Sequence, residues 1–286
     1  MIVITGATGH LGRLVIASLL KKMPASNIVA AVRNADKAKD LVAKGVQVRI
    51  ADYNDQEAWD GALKGAEKVL LISSSEVGQR AKQHRSVIDA AIRADVTLLA
   101  YTSILHCDTS VLGIAAEHKA TEEYIRASGL PVALLRNSWY TENYMAGIPA
   151  ALSLGTMYGC AGQGRISSAA RADFAEAAAM VMTAGGQAGK VYELAGDRAF
   201  TLAELAAEIA RQSGKSIKYV DLPEADYRTA LVKAGFPEAV AALLADSETG
   251  ISKGALFDES RALSRLINRP TTPMAASVTT ALRTAS

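Results

Sequence analysis

Several things are scarce in this chain, and each scarcity narrows what it can be. There are two cysteines in 286 residues, Cys107 and Cys160. They are far apart and lack metal-ligand spacing, so they read as free thiols suited to a reducing cytosol, with no metal expected. The formal net charge is only +2, which gives no electrostatic argument for nucleic acid or an anionic membrane. No apolar run is long enough to span a bilayer. No basic region followed by an apolar segment opens the chain, so a secretory signal is not expected. Aromatic residues make up 5% of the sequence, so any local concentration of rings stands out.

Hydrophobic residues are half of the sequence, enough for a sizeable core. The length suits one large domain, or a core domain with a smaller lobe. Ile2-Val3-Ile4-Thr5 is a β-branched run that reads as a buried strand. It leads directly into Gly6-Ala7-Thr8-Gly9-His10-Leu11-Gly12. A helical pattern follows, with Leu14, Val15, Ser18 and Leu19 on one side. Strand, glycine turn and helix in this order form the context in which a glycine motif binds a dinucleotide. Gly6 allows the sharp turn, Gly9 the approach of backbone N–H groups to a pyrophosphate, and Gly12 the close packing of helix on strand. The helix N-terminus adds partial positive charge for the anion. The alternative is a tight structural turn.

The second strand is expected over 28–32 and ends at Arg33, 21 residues beyond Gly12. An acid at this tip selects NAD, whereas an arginine accommodates the 2′-phosphate of NADP. A charge-assisted hydrogen bond of roughly 1.5–3 kcal/mol gives about ten- to hundredfold preference for NADP, unless Arg33 is only a solvated surface residue. Further strands are expected over 46–50, 68–72, 96–101 and 131–136. Asp52 either accepts the adenine amino group or caps the helix that starts near Asp55. Trp59 reads as core. Ser73-Ser74-Ser75 ends the fourth strand, on the side where parallel sheets bind ligands. Helices are expected over 79–94, where His84 is a surface or supporting group, and over 115–127. Six strands alternating with helices predict a Rossmann-type doubly wound parallel sheet of the α/β class.

Residues 1–155 are read as the NADP-binding domain, with a returning segment near 174–196. Residues 156–286 are read as a smaller, mainly helical substrate lobe, beginning with a glycine-broken loop region. A strand is expected over 191–195, and a capping box at Thr201 and Glu204 opens a helix. The pocket wall expected from this pattern is Asn137-Ser138-Trp139-Tyr140-Thr141-Glu142-Asn143-Tyr144-Met145. Its three rings lie within six positions, after the sixth strand. Aromatic faces attract a delocalised cation by roughly 0.5–2 kcal/mol, and methionine adapts to bulky rings. Asn137 suits the nicotinamide carboxamide or ribose. The alternative is that Trp139 and Tyr144 are simply core. Tyr158, Tyr227 and Phe236 are further wall candidates.

The string Thr5-Gly6-Ala7-Thr8-Gly9-His10-Leu11-Gly12 resembles the NmrA-like branch of the atypical short-chain dehydrogenases. So do Arg33, Ser73-Ser74-Ser75 and Leu135-Arg136-Asn137-Ser138-Trp139-Tyr140, and the similarity runs the full length. The stretch Ser73-Ser74-Ser75-Glu76-Val77-Gly78-Gln79-Arg80 and the later Asn268-Arg269-Pro270 extend it to the bacterial NADPH:quinone oxidoreductase group. Within that group the chain is most similar to the triphenylmethane reductases, which decolourise cationic dyes. The resemblance implies NADPH as cofactor and a cytoplasmic enzyme. It places 6–11, Arg33, 73–75 and 137–142 around the cofactor, with Gly12 completing the glycine motif. Within the ring-bearing stretch, Trp139, Tyr140, Tyr144 and Met145 are the wall expected to face a small aromatic substrate.

The chain departs from ordinary short-chain dehydrogenases at the helix after the fifth strand. No Tyr-x-x-x-Lys occurs there, and the nearest equivalent is His118 with Glu122. His118 is either an acid or half of a surface i,i+4 pair. A triarylmethane cation needs only hydride, so no general acid is required. A quinone also accepts hydride but is helped by a proton. The leading expectation is therefore NADPH-dependent reduction of triphenylmethane dyes to leuco products by direct hydride transfer, with no catalytic side chain named. Reduction of quinones is the alternative, and a non-catalytic NADP-binding redox sensor is the second. The oligomeric state is left open, with a homodimer among the choices.

Overall fold

The computed structural model describes residues 1–285. Its strands are β1 (Ile2–Ile4), β2 (Ile28–Val32), β3 (Gln47–Ile50), β4 (Lys68–Leu71), β5 (Leu98–Ile104), β6 (Val132–Asn137), β7 (Thr156–Gly159), β8 (Lys190–Leu194) and β9 (Lys218–Asp221). Seven form one sheet in the order β3-β2-β1-β4-β5-β6-β8, and β7 pairs with β9 in a second sheet. Strands β1 to β6 pair in parallel. This is the doubly wound α/β fold expected from the alternation of strands and helices.

Two compact units divide the chain. Unit 1 comprises Met1–Cys107, Ala116–Asn137 and Arg171–Tyr192; unit 2 comprises Asp108–Ala115, Ser138–Ala170 and Glu193–Ser286. In unit 1 the central strands β1, β2, β4 and β5 are buried almost throughout, which is why they read as continuous apolar runs. β3 is an edge strand and shows no inward-facing alternation: its outer residues are exposed and its middle ones half-buried. A core of Val3, Val29, Trp59, Val69, Leu71, Val87, Ile88, Tyr101 and Ile125 packs helices on this sheet. Trp59 is 1% exposed and donates its indole N–H to the Asp52 carbonyl.

Several local expectations need correction. The helix His10–Leu19 buries Leu11, Gly12, Val15, Ile16 and Leu19, so its inner face is turned away from Leu14 and Ser18. β5 starts later than expected and runs through Thr102 and Ser103 to Ile104. Asp55, and not Asp52, caps the Gln56–Ala62 helix by accepting from the Ala58 N–H; Asp52 accepts from the Asn54 N–H in a local turn.

Unit 2 holds the pairing that the sequence pattern misses. Residues around Gly159, read as a glycine-broken loop, include β7, which pairs in parallel with β9 from Thr156↔Lys218 to Gly159↔Asp221. Beyond Thr201 the chain is mainly helical as expected, with β9 as the one strand there among the described residues. The capping box is present: Thr201 Oγ1 accepts from the Glu204 N–H, and the Glu204 carboxylate accepts from the Thr201 N–H. No helix among the described residues is long and apolar enough to cross a membrane.

Candidate cofactor and substrate sites

In unit 1 the parallel register brings four chain segments to one edge of the sheet. The glycine turn follows β1, Arg33 follows β2, Ser73-Ser74-Ser75 follows β4, and Asn137 is the last residue of β6. β1 lies between β2 and β4, where the strand order reverses direction. In open α/β sheets, the carboxyl ends of strands at such a switch point are where ligands bind.

Backbone conformation favours glycine at Gly6, and lack of space requires it at Gly12. Gly6 has φ +57°, a left-handed conformation. A Cβ on Gly12 would lie 2.5 Å from the Gly6 carbonyl oxygen and 2.8 Å from the Ala7 Cα, both rigid backbone. A Cβ on Gly9 would lie 3.1 Å from the Gly6 oxygen. Ala7 and Leu11 are buried and Thr8 is half-buried, whereas Gly9 and His10 are exposed. The His10–Leu19 helix has no side-chain cap and no acid in its first turn, so its leading N–H groups meet no competing carboxylate there.

Behind the turn, Tyr53 joins the β1 and β4 loops, a residue the sequence pattern did not single out. Its hydroxyl lies 2.7 Å from Thr5 Oγ1 and 2.8 Å from the Ile72 carbonyl oxygen. Thr5 Oγ1 in turn accepts from the Ile72 N–H at 2.9 Å.

The serine loop is held by its backbone. The Ser73 N–H donates to Thr102 Oγ1 at 2.9 Å, and the Ser74 carbonyl accepts from Arg80 Nε at 2.6 Å. The Ser74 N–H donates to His84 Nε2 at 2.9 Å. Ser74 Oγ accepts from the Glu76 N–H, which leaves its O–H to donate; Ser73 is half-buried and Ser75 exposed.

His84 is fully buried, so of the two expected roles it takes the supporting one. Thr121 Oγ1 donates to the Glu117 carbonyl, so at 3.0 Å it accepts the proton on His84 Nδ1. That fixes a neutral ring with Nε2 free to accept. Burial, reinforced by the Arg80 charge, pushes the His84 pKa down to about 3.

His118 is likewise not in a surface pair with Glu122. It is 5% exposed and its Nδ1 lies 2.8 Å from the Tyr101 hydroxyl. Burial, with the Arg80 charge, lowers its pKa to about 3, so it is uncharged at neutral pH and a poor proton reserve. Glu122 is taken by other partners: it accepts from Ser103 Oγ at 2.6 Å, Arg136 Nε at 2.9 Å and Arg126 at 3.0 Å. Cys107 is buried and free, and burial pushes its thiol up to about 12, which keeps it from acting as a thiolate. No group of three His, Cys, Asp or Glu side chains among the described residues is placed to hold a metal ion.

Arg33 is exposed and pairs through Nη1 with Glu76 Oε1 at 2.9 Å. At the end of β6, the Asn137 Oδ1 is buried without a hydrogen-bond partner, as is the Ser138 Oγ at the start of unit 2. A ligand amide or hydroxyl would complete either group, because an unmade buried bond costs roughly 1–3 kcal/mol.

In unit 2 the ring-bearing stretch is pinned by its backbone. The Ser138 N–H donates to the Leu194 carbonyl and the Thr141 N–H to the Ala169 carbonyl. Tyr140 bridges Ala169, and Thr141 Oγ1 lies 2.8 Å from Ser168 Oγ. Glu142 lies in the first turn of the short helix Thr141–Met145. Trp139, Tyr140 and Tyr144 are half-buried and Met145 is buried. Tyr144 meets Phe200 edge to face at 6.1 Å, and its hydroxyl is buried without a hydrogen-bond partner. Of the further wall candidates, Tyr158 and Phe236 are exposed, while Tyr227 packs beside Cys160 and Ala245.

Comparison with known proteins bears on these features. A family model described as NAD(P)H-binding matches residues 6–185. Quinone oxidoreductase 2 of Escherichia coli is 59% identical over 97% of this chain and 97% of its own. The crystal structure of an NADPH-dependent quinone oxidoreductase from E. coli, complexed with NADPH, superposes with a TM-score of 0.97 at 58% identity, covering 99% of this chain and 100% of that one. The Citrobacter sp. triphenylmethane reductase complexed with NADP(H) gives a TM-score of 0.95 at 38% identity, covering 98% and 100%.

Proposed function

This chain belongs to the NAD(P)H-binding family, and from that premise we propose that it is an NADPH-dependent reductase of quinones. The observation that carries this reading is the near full-length likeness to E. coli quinone oxidoreductase 2. It moves the balance away from the dye reduction that the motifs first suggested, since the dye reductase is the more distant relative at 38% identity.

The residues present fit such a cofactor. Positions 6–12 form a turn in which a side chain at Gly12 would strike backbone, and the uncapped start of the helix His10–Leu19 offers its N–H groups to a pyrophosphate. Arg33 is the cation for the 2′-phosphate, and the backbone of 73–75 is the bed on which the dinucleotide lies. Asn137 Oδ1 and Ser138 Oγ are the acceptors for the nicotinamide end. NADPH, when bound, supplies a hydride to an electron-poor acceptor.

Trp139, Tyr140, Tyr144 and Met145 are assigned to hold the flat acceptor and exclude water. Unit 1 is the cofactor-binding part and unit 2 the substrate part of this proposal. His118 stays neutral and engaged with Tyr101, so it is not the source of the proton that a reduced quinone takes up; water is. The reading carries with it a cytoplasmic location, in keeping with two buried free thiols.

Dye reduction is the second reading, favoured by the ring cluster at 139–144 and the Citrobacter likeness. Steady-state turnover with NADPH separates the two. A simple para-quinone is expected to exceed malachite green by about tenfold or more in kcat/KM. A dye reduced faster than any quinone reverses the assignment. Saturable NADPH binding without oxidation by either acceptor replaces both with the redox sensor.

A further inference from the structure

The Arg33 guanidinium is already engaged by a carboxylate of its own chain, and that carboxylate is not a loose surface group. Glu76 Oε1 accepts from Arg33 Nη1 at 2.9 Å. Its second oxygen, Oε2, accepts from Gln83 Nε2 at 2.7 Å. Gln83 is 1% exposed, and its side-chain amide also reaches Asn54 Oδ1 at 3.4 Å. The Gln83 Oε1 is buried without a partner, so turning the amide over would aim an oxygen at the carboxylate. The Glu76 N–H is bonded to Ser74 Oγ, one residue beyond the serine loop. Glu76 is thus fixed from below by a buried amide and from behind by its own loop, with Arg33 on its open side.

A 2′-phosphate carries close to two negative charges and seeks the same planar guanidinium fork. Two anions that share one cation at contact distance repel each other, and the repulsion is only partly screened at a half-exposed site. We propose that Glu76 is a specificity-determining residue: its carboxylate competes with the 2′-phosphate for Arg33, and so sets how strongly the chain prefers NADPH to NADH. Removing the charge frees the guanidinium and removes the repulsion, so it tightens the phosphorylated dinucleotide and leaves the other almost unchanged. The inference rests on the reading that Arg33 receives the 2′-phosphate.

Calorimetric titration of the purified full chain with NADPH and, separately, with NADH tests it in wild type, Glu76→Gln, Arg33→Ala and the double variant. Glu76→Gln keeps the size of the side chain, and a thermal melt checks that it folds. It is expected to lower the Kd for NADPH by about five- to tenfold and to change that for NADH by less than about twofold. In the Arg33→Ala background the same substitution should change NADPH binding by less than about twofold. If Arg33→Ala weakens NADPH selectively while Glu76→Gln is silent, weakens NADPH or shifts both dinucleotides alike, the competition is overturned and the Arg33 reading stands. If Arg33→Ala affects NADPH and NADH equally, the Arg33 reading falls and the competition with it.

Discussion

Unit 1 buries two histidines and keeps them uncharged, whereas unit 2 holds a half-buried carboxyl group, Glu248, whose pKa is lifted into the neutral range. The consequences for pH are opposite. His84 and His118 are both pushed down to about 3. In unit 2, Glu248 is pushed up to about 7 by burial, although the Cys160 N–H donates to its Oε2 at 2.5 Å. The histidines are satisfied as neutral rings by defined partners, so they serve as rigid supports for the serine loop and for β5. Glu248 lies near Tyr227 and Asp221, where a neighbouring negative charge opposes its ionisation. The comparison teaches that the unit assigned to the cofactor is built from fixed polar partners, while the unit assigned to the substrate tolerates a group poised to titrate.

The hardest way to break this contrast is to damage the turn in unit 1. Gly12→Val forces a side chain against the Gly6 and Ala7 backbone. Its kcat/KM with NADPH should fall by about a hundredfold or more, with NADPH binding lost in titration. Arg33→Ala comes next: the NADPH-to-NADH ratio of kcat/KM should drop by about ten- to hundredfold, mostly through the KM for NADPH. An equal effect on both dinucleotides removes Arg33 from the 2′-phosphate role.

Stability against pH sharpens the contrast at the next level. A histidine pKa near 3 in the fold compares with about 6.5 in the unfolded chain. The unfolded state therefore binds more protons between these values. The histidine contribution is complete above pH about 6.5 and is lost as pH falls toward about 3. Glu248 has the opposite sign: its contribution is present below its unfolded value of about 4.5 and is lost as pH rises through about 7. Chemical denaturation across pH should show His118→Asn reducing the acid slope by about one proton and Glu248→Gln raising stability chiefly above pH about 7.

Smaller still is Tyr144→Phe, which removes a buried hydroxyl that has no partner. If no acceptor bond is made there, the melting temperature should rise by about 2 °C. A higher KM for quinone, with NADPH affinity unchanged, would instead give the hydroxyl a place in acceptor binding. The smallest effect belongs to His118→Ala, expected to alter quinone turnover by less than about threefold, since its ring is neutral and held by Tyr101. A loss of several orders of magnitude would restore it as an acid.

The sheet was legible because its central strands are buried on both faces and announce themselves as short apolar runs between turn residues. The glycine turn was legible for a related reason: only glycine fits at Gly12, so spacing and sterics coincide. β7 and β9 were not, because their residues are mostly half-buried or exposed and their partners lie some sixty residues apart. The polar interior was harder again. His118 and Glu122 have helical i,i+4 spacing, yet Glu122 is claimed by Arg136 from β6 and His118 by Tyr101 from β5. The sequence left His84 between a surface and a supporting role because Ser74 and Thr121, its partners, are brought to it only by the fold. Periodicity reports which face is apolar; it does not report which distant residue completes a buried polar group.

The central claim is that the opening turn holds NADPH and that the bound cofactor is oxidised by a quinone. The most direct measurement has two stages: equilibrium titration of the purified chain with NADPH, then addition of a para-quinone while the near-ultraviolet absorbance of the reduced nicotinamide is followed. The account predicts saturable binding at one site per chain and loss of that absorbance in proportion to quinone added. No saturable binding, or bound NADPH that persists unoxidised, would contradict it.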